Sequence, residues 1–299
     1  MRVKIGYPCI NYSVPCRGNR TFRLASYSED LLIKTVRGNL ACLHSILEYN
    51  AINGILFFRI SSDIIPFASH PVCTFDWQRE FGEEFCALGD IIREHGMRIS
   101  MHPDQFVLIN ALDPGIVERS VSELEYHAAV LDALGLDESA KIQIHIGGVY
   151  GNRTASLARF VERYRTLPSA VQRRLVIEND DRSYTVKDCI TISRKTGVPV
   201  LFDIFHHEVN SSGGTVADNL RAVLPTWHGN DGVPMVDYSS QEPGKRRGNH
   251  ALVLNPHHFQ QFLQESQGFD LDIMLEIKEK EKAVSKALEI ADGDARLKR

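Results

Sequence analysis

"RISMHPDQFVLIN", residues 98–110, starts as an alternating strand and breaks at His102, Pro103, Asp104 and Gln105 before an apolar run resumes. A polar side chain where a buried strand ends needs a partner, because burying it alone is costly. Seven other short apolar runs stand at residues 3–7, 55–60, 141–146, 174–178, 199–204, 233–238 and 271–277. Five of them also close on a ligand-type residue: His145, Glu178, Asp203, Asp237 and Glu276. With His102 these six are separated by 43, 33, 25, 34 and 39 residues. A strand–helix–strand unit takes about 30 residues or more, so each unit delivers one such side chain at its C-terminal end. Amphipathic segments fill the intervals, among them "SEDLLIKTVRGNLACLHSILEYN", with Ser28 and Asp30 near its start, and "DWQREFGEEFCALGDIIREHG", opening on Asp76 and stopping at Gly96. Eight strands and eight helices imply a parallel sheet, open or closed. An open sheet would spread the six side chains along an edge, whereas a barrel brings them to one mouth. The expected fold is therefore α/β: a single (β/α)8 TIM-like barrel with a metal cluster at the C-terminal mouth of the strands.

No Pro/Ser-rich linker or composition shift divides the chain, so one domain over residues 1–299 is expected, with "NSSGGTVAD" at 210–218 as a clear loop. The composition, 43% hydrophobic and 24% charged, is that of an ordinary globular protein, and no apolar stretch reaches the roughly 18 residues that span a bilayer. The N-terminus "MRVKIGYPCI" lacks an apolar region followed by a cleavage site. A cytoplasmic, membrane-free protein is expected, as a monomer. Cysteines 9, 16, 42, 73, 86 and 189 are scattered, with no C-x-x-C pair, and read as reduced thiols. A net charge of −4 argues against phosphate binding when taken alone. Carboxylates that hold divalent ions would reverse that sign locally, so the charge neither supports nor excludes DNA.

Singly, the strand-end residues have ordinary explanations. His145 in "IQIHIGGVYGN" reads as a hydrogen-bonded core histidine, Asp203 as a helix cap, and Glu276 in "DIMLEIKEKEK" as a partner of Lys278 or Lys280. Glu178, after Leu-Val-Ile, is harder to place without a partner. Together with His206 in "DIFHHEVN", His70 in "FASHPVC" and His250 in "RRGNHALV", they make nine candidates. That is more than one or two ions would use, so three ions are plausible, and the expected cofactor is a divalent metal cluster of two to three ions. Mixed imidazole and carboxylate ligands suit Mn²⁺ or Zn²⁺ first and Mg²⁺ next. Phosphodiester hydrolysis is the reaction such an inventory serves best.

Taken in order, His70, "MHPDQFV", "IHIGGVYGN", "VIENDD", "DIFHHEVN", "DYSSQ", "GNHA" and "MLEIKEKEKA" resemble the UV damage endonuclease family along essentially the whole chain. The resemblance implies a TIM-like barrel with a divalent metal cluster, manganese by preference and cobalt among the alternatives. It implies an enzyme that nicks duplex DNA immediately 5′ of cyclobutane dimers and 6-4 photoproducts, leaving a 3′-hydroxyl and a 5′-phosphate. Carried over, the metal ligands are His70, His102, His145, Glu178, Asp203, His206, His250 and Glu276, with Asp237 able to join them. Glu178, Asp203 and Glu276, with Lys278, become the candidate catalytic groups. Gln105 and Phe106 stand where the family has a Gln and an aromatic, usually Tyr, that wedge into the duplex opposite the lesion. Met235 and Asp237 stand where the family often has a lysine and a histidine, and Met235 is a poor ligand for Mn²⁺. DNA contacts are expected from Tyr7 and Asn11 at the end of strand one, from Arg17, Arg20 and Arg23 in "PCRGNRTFR", and from Lys245, Arg246 and Arg247 in "GKRRGN". Abasic-site endonucleases of the endonuclease IV type and metal-dependent sugar isomerases share the barrel and are the rival readings. A metal-stabilised binding protein without catalysis is a third.

Overall fold

The computed structural model describes residues 3–297, so the ends of the expected 1–299 domain lie outside the described residues. Eight parallel strands close into a barrel in sequence order, with β8 paired to β1. They are β1 Val3–Pro8, β2 Phe57–Ile60, β3 Arg98–Met101, β4 Lys141–His145, β5 Leu175–Glu178, β6 Val200–Asp203, β7 Met235–Tyr238 and β8 Leu271–Leu275. Each falls within or beside one of the eight apolar runs. The strands are buried nearly throughout, as a parallel sheet covered on its outer face by helices requires.

Side chains alternate between the barrel interior and the helix layer. Phe57, Val176, Leu201, Met235 and Met274 form an apolar cluster with Trp227. Two residues further along the same strands, and so on the same face, come Arg59, Glu178, Asp203, Asp237 and Glu276. An apolar plug thus supports a charged layer at the C-terminal mouth. Met235 belongs to the plug, which explains an apolar residue at a position where the resemblance suggested a metal-site lysine. Gly6 is required by closure of the barrel: a Cβ there would lie 1.8 Å from the Phe57 carbonyl oxygen.

The helix expected from Ser28 runs over Glu29–Ile52, with the Ser28 hydroxyl accepting from the Leu31 amide at 3.3 Å. Elsewhere one helix per crossover proves too simple, since the described residues contain eleven α-helical segments. The helix expected over 76–96 is two, Trp77–Glu80 and Gly82–Glu94. Its register breaks at Phe81, which is fully buried and followed by a poor helix former. A short helix, Ile204–Val209, follows β6 without a loop and carries His206.

One expectation is reversed. Cys16 and Cys42 form a disulfide, with their Cα atoms 5.6 Å apart, while Cys9, Cys73, Cys86 and Cys189 are free. The loop after β1 lies across the helix that carries Cys42, and scattered positions in the sequence gave no sign of that proximity. No helix among the described residues is long and apolar enough to cross a membrane.

Candidate metal centre and nucleic-acid face

In-register pairing of the strands assembles the mouth: His145 lies opposite Glu178 across β4 and β5, and Asp203 opposite Asp237 across β6 and β7. Glu178, buried, is the hub. His206 Nδ1 lies 3.0 Å from its Oε1, His102 Nε2 3.6 Å and His145 Nδ1 4.0 Å from its Oε2. Three sets of side chains have donor atoms within 4.8 Å of one another: His102, His145 and Glu178; Glu178, Asp203 and His206; and Asp203, Asp237 and Glu276. His250 joins the rim, its Nδ1 3.6 Å from Glu276 Oε2.

Backbone contacts orient several of these groups. His102 Nδ1 is 2.8 Å from the Pro103 carbonyl, which leaves Nε2 facing Glu178. Asn179 donates to the Asp203 carbonyl at 2.9 Å and accepts from the Asp203 amide at 3.0 Å, tying β5 to β6. Asp203 also caps the following helix, its Oδ1 accepting from the His206 amide at 2.6 Å. The cap reading of Asp203 is therefore correct and does not compete with its place in the cluster.

Two observations test whether a metal fits. His145 Nδ1 is buried and has no hydrogen-bond partner among the described residues, so a basic nitrogen is left for another acceptor of its lone pair. The four carboxylates divide: despite burial, Glu178 is held well below the usual range by His145, His102 and His206, and Glu276 is lowered to about 2, chiefly by Arg59, whereas Asp203 and Asp237 are raised. Burial, with neighbouring acids adding to it, pushes Asp203 well above the usual carboxylate range despite the opposing pull of His206. Burial likewise raises Asp237 to about 7 against the pull of Arg59. Although burial opposes its charge, His206 is pushed up to about 11 by Asp203 and Glu178. Imidazoles and buried carboxylates gathered this closely, with Asp203 drawing a proton where burial outweighs His206, are chemically suited to divalent cations.

Sequence reading missed Arg59 and Gln143, both buried in this layer. Arg59 donates to Glu276 at 2.5 Å and to both oxygens of Asp237 at 2.8 Å. Gln143 donates to Glu178 and, at 2.6 Å, to Asp237. An arginine in "FFRIS" and a glutamine two positions before His145 were the available signals.

Other expected residues lie apart. His70 is exposed on the loop after β2, its Nδ1 accepting from the Val72 amide at 3.0 Å, and it belongs to none of the three donor sets. Lys278 is exposed, whereas Lys280, held at a φ of 56°, is partly buried and within electrostatic reach of Glu276. Tyr7 and Asn11 are buried: the Tyr7 hydroxyl donates to Asn50 and accepts from Asn11, both at 2.7 Å. They brace β1 against the helix layer and present no face to a duplex.

Phe106, by contrast, is 54% exposed while its neighbours Val107 and Ile109 pack into the core. Gln105, also exposed, lines a cavity of about 420 Å³ together with His102, His145, His206 and His250. Arg17, Arg20 and Arg23, and Lys245, Arg246 and Arg247, are exposed on loops that follow β1 and β7. Asn39 fixes the first loop through both polar atoms of the Arg20 backbone, and Gln241 braces the second by accepting from the Gly248 amide at 2.9 Å.

Fold and site define a class, the TIM barrels with a histidine–carboxylate cluster at the mouth. A model of the family described as UV-endonuclease UvdE matches residues 3–296, and the chain belongs to that family. It is 36% identical over 288 residues to the UV DNA damage endonuclease of Clostridium perfringens (strain 13 / Type A), covering 96% of this chain and 70% of that one. The crystal structure of SacUVDE superposes with a TM-score of 0.95 at 43% identity, covering 99% of this chain and 100% of that chain. Endonuclease IV from Thermus thermophilus, at 18% identity and a TM-score of 0.54 over 84% of this chain and 93% of its own, shares the fold alone.

Proposed function

We propose that this protein is a metal-dependent DNA repair endonuclease that incises duplex DNA immediately 5′ of UV photoproducts, cyclobutane pyrimidine dimers and 6-4 photoproducts, leaving a 3′-hydroxyl and a 5′-phosphate. The observation that carries the reading is the placement of Gln105, which lines the cavity with His102, His145, His206 and His250, next to a Phe106 that is exposed rather than packed into the core. Family membership supplies the reaction class, and this pair supplies a means of finding damage. An aromatic wedge replaces lost stacking when bases leave the helix, and a poorly stacked lesion is cheaper to extrude.

His102, His145, Glu178, Asp203, His206, His250 and Glu276 are the proposed metal ligands, with manganese the preferred ion. When bound, divalent ions activate water and offset charge on the departing oxygen. The protein's own groups do the rest. Glu178 is placed to bridge two donor sets, Asn179 and the Asp203 cap hold the β5 and β6 ligands in register, and the arginine-rich loops grip phosphates. The protein is proposed to act as a monomer inside the cell, where its substrate is.

A duplex oligonucleotide with one thymine dimer, end-labelled on the damaged strand and incubated with Mn²⁺, tests this. The expected product ends immediately 5′ of the dimer and is extended by a polymerase. Cleavage only of a duplex with an abasic site, leaving the dimer duplex intact, would replace this reading with the endonuclease IV one.

A further inference from the structure

The third donor set differs from the other two: it is all carboxylate, and a cation of the protein already pairs with two of its three members, Asp237 and Glu276. Arg59 Nη2 lies 2.8 Å from each oxygen of Asp237 and Nη1 lies 2.5 Å from Glu276 Oε1. Gln143 occupies what remains of Asp237, donating to Oδ2 at 2.6 Å while accepting from Arg59 Nη2 at 2.7 Å. Little lone-pair capacity is left on Asp237 for an ion.

The guanidinium is also not free to leave. Arg59 is 3% exposed, Asp237 and Gln143 are fully buried, and Phe57 and Met235 fill the layer beneath. Displacing a buried arginine from two carboxylates would leave an unpaired charge in the barrel interior, which is costly. Charge balance agrees. Glu178, Asp203, Asp237 and Glu276 carry four negative charges, which two divalent ions cancel, and Arg59 leaves one positive charge to meet one phosphodiester. A third ion added to Arg59 would leave the same pocket with three.

We infer that the Arg59 guanidinium is the resident cation of the Asp203–Asp237–Glu276 set, so that the centre takes up two divalent ions and Asp237 is a partner of Arg59 rather than a metal ligand. The inference rests on reading the cluster as a metal centre. Arg59 is then a positioning residue: it fixes one oxygen of Glu276 and leaves the other, Oε2, toward His250.

The test is the manganese content of the native protein and two variants, loaded with Mn²⁺, freed of excess by gel filtration and measured by elemental analysis, with the Mn²⁺ electron paramagnetic resonance spectrum as a second readout. The native chain is expected to retain two ions, showing the spectrum of a coupled pair, and Asp237→Asn is expected to retain both. Arg59→Gln, which removes the charge and frees both acids, is expected to take up a third. Three ions in the native chain, falling to two in Asp237→Asn, would overturn the role of Arg59 and leave the metal centre standing. No ion retained in the native chain would overturn the metal-centre reading itself. If Arg59→Gln does not fold, the native chain and Asp237→Asn still decide.

Discussion

His145 and Glu178 face each other in register across β4 and β5, and the imidazole Nδ1 stands 4.0 Å from the carboxylate Oε2. That separation is too long for a hydrogen bond, and Nδ1 has no other partner among the described residues. A half-buried imidazole whose Nδ1 is buried, standing beside a buried carboxylate without bonding to it, defines a place for a third species, and Glu178 forms one wall of it.

Glu178 belongs to two of the three donor sets, so Glu178→Gln should cost more than loss of a peripheral ligand. The expected result is retained Mn²⁺ well below native and incision reduced about a hundredfold or more, a loss of about 2.7 kcal/mol or more of transition-state stabilisation. Elemental analysis beside an incision time course reads both. Native metal content together with native rate would remove Glu178 from the centre.

The wedge separates from the metal. Replacing Gln105 and Phe106 together by alanine should leave Mn²⁺ content and thermal stability near native, because both side chains are exposed. Incision of dimer-containing duplex should fall about tenfold to a hundredfold, the scale of lost aromatic–base stacking. Equal rates for the double variant and the native protein would end the wedge role.

Acid should destabilise the fold through His127. Burial holds this imidazole down to about 4, aided slightly by His102 and opposed by its contact with the Glu123 carbonyl at 2.7 Å. Its folded pKa lies below the unfolded value of about 6.5, so the unfolded chain takes up the proton first, and stability is lost as pH falls from about 6.5 toward 4. Over that window the loss from this one group is about 3 kcal/mol. Urea unfolding in EDTA at pH 7 and pH 4.5 should show a steeper decline for the native protein than for His127→Gln. Parallel declines would mean that the imidazole is not held neutral.

The Cys16–Cys42 bridge closes a loop with a sequence separation of 26 residues. A crosslink over that length restricts the unfolded chain by about 3 kcal/mol, so a thiol reductant or the Cys16→Ser, Cys42→Ser double variant should lower the unfolding free energy by about that amount. The Arg17–Arg23 loop should loosen as well, visible as faster amide exchange. An unfolding curve indifferent to reductant would show that the bridge does not form in solution.

The barrel was legible because two signals coincide at each strand: an apolar run and, at six of the eight, a ligand-type residue at its end. Strand parity then decides which end residues meet. Glu178, Asp203, Asp237 and Glu276 share the inward parity, whereas Tyr7 falls on the outward one and bonds Asn50 of the helix layer. Parity was readable in principle, but Tyr7 stood at a strand end and resembled a site residue. His70 and Lys278 lie outside any strand, where no periodicity fixes a direction. Arg59 was invisible for another reason: one arginine in an apolar strand points to no partner until the acids 178 and 217 positions away are brought beside it. The disulfide, likewise, is a fact of tertiary proximity alone.

Metal-dependent incision of UV-damaged DNA can be read on supercoiled plasmid, where one nick relaxes the circle. UV-irradiated and unirradiated plasmid are each incubated with the protein in Mn²⁺ and in EDTA, and the relaxed form is quantified. Relaxation is expected for the irradiated plasmid alone in Mn²⁺ and for neither plasmid in EDTA. Equal relaxation of both plasmids would rule out damage-specific incision, and relaxation that persists in EDTA would rule out a metal requirement.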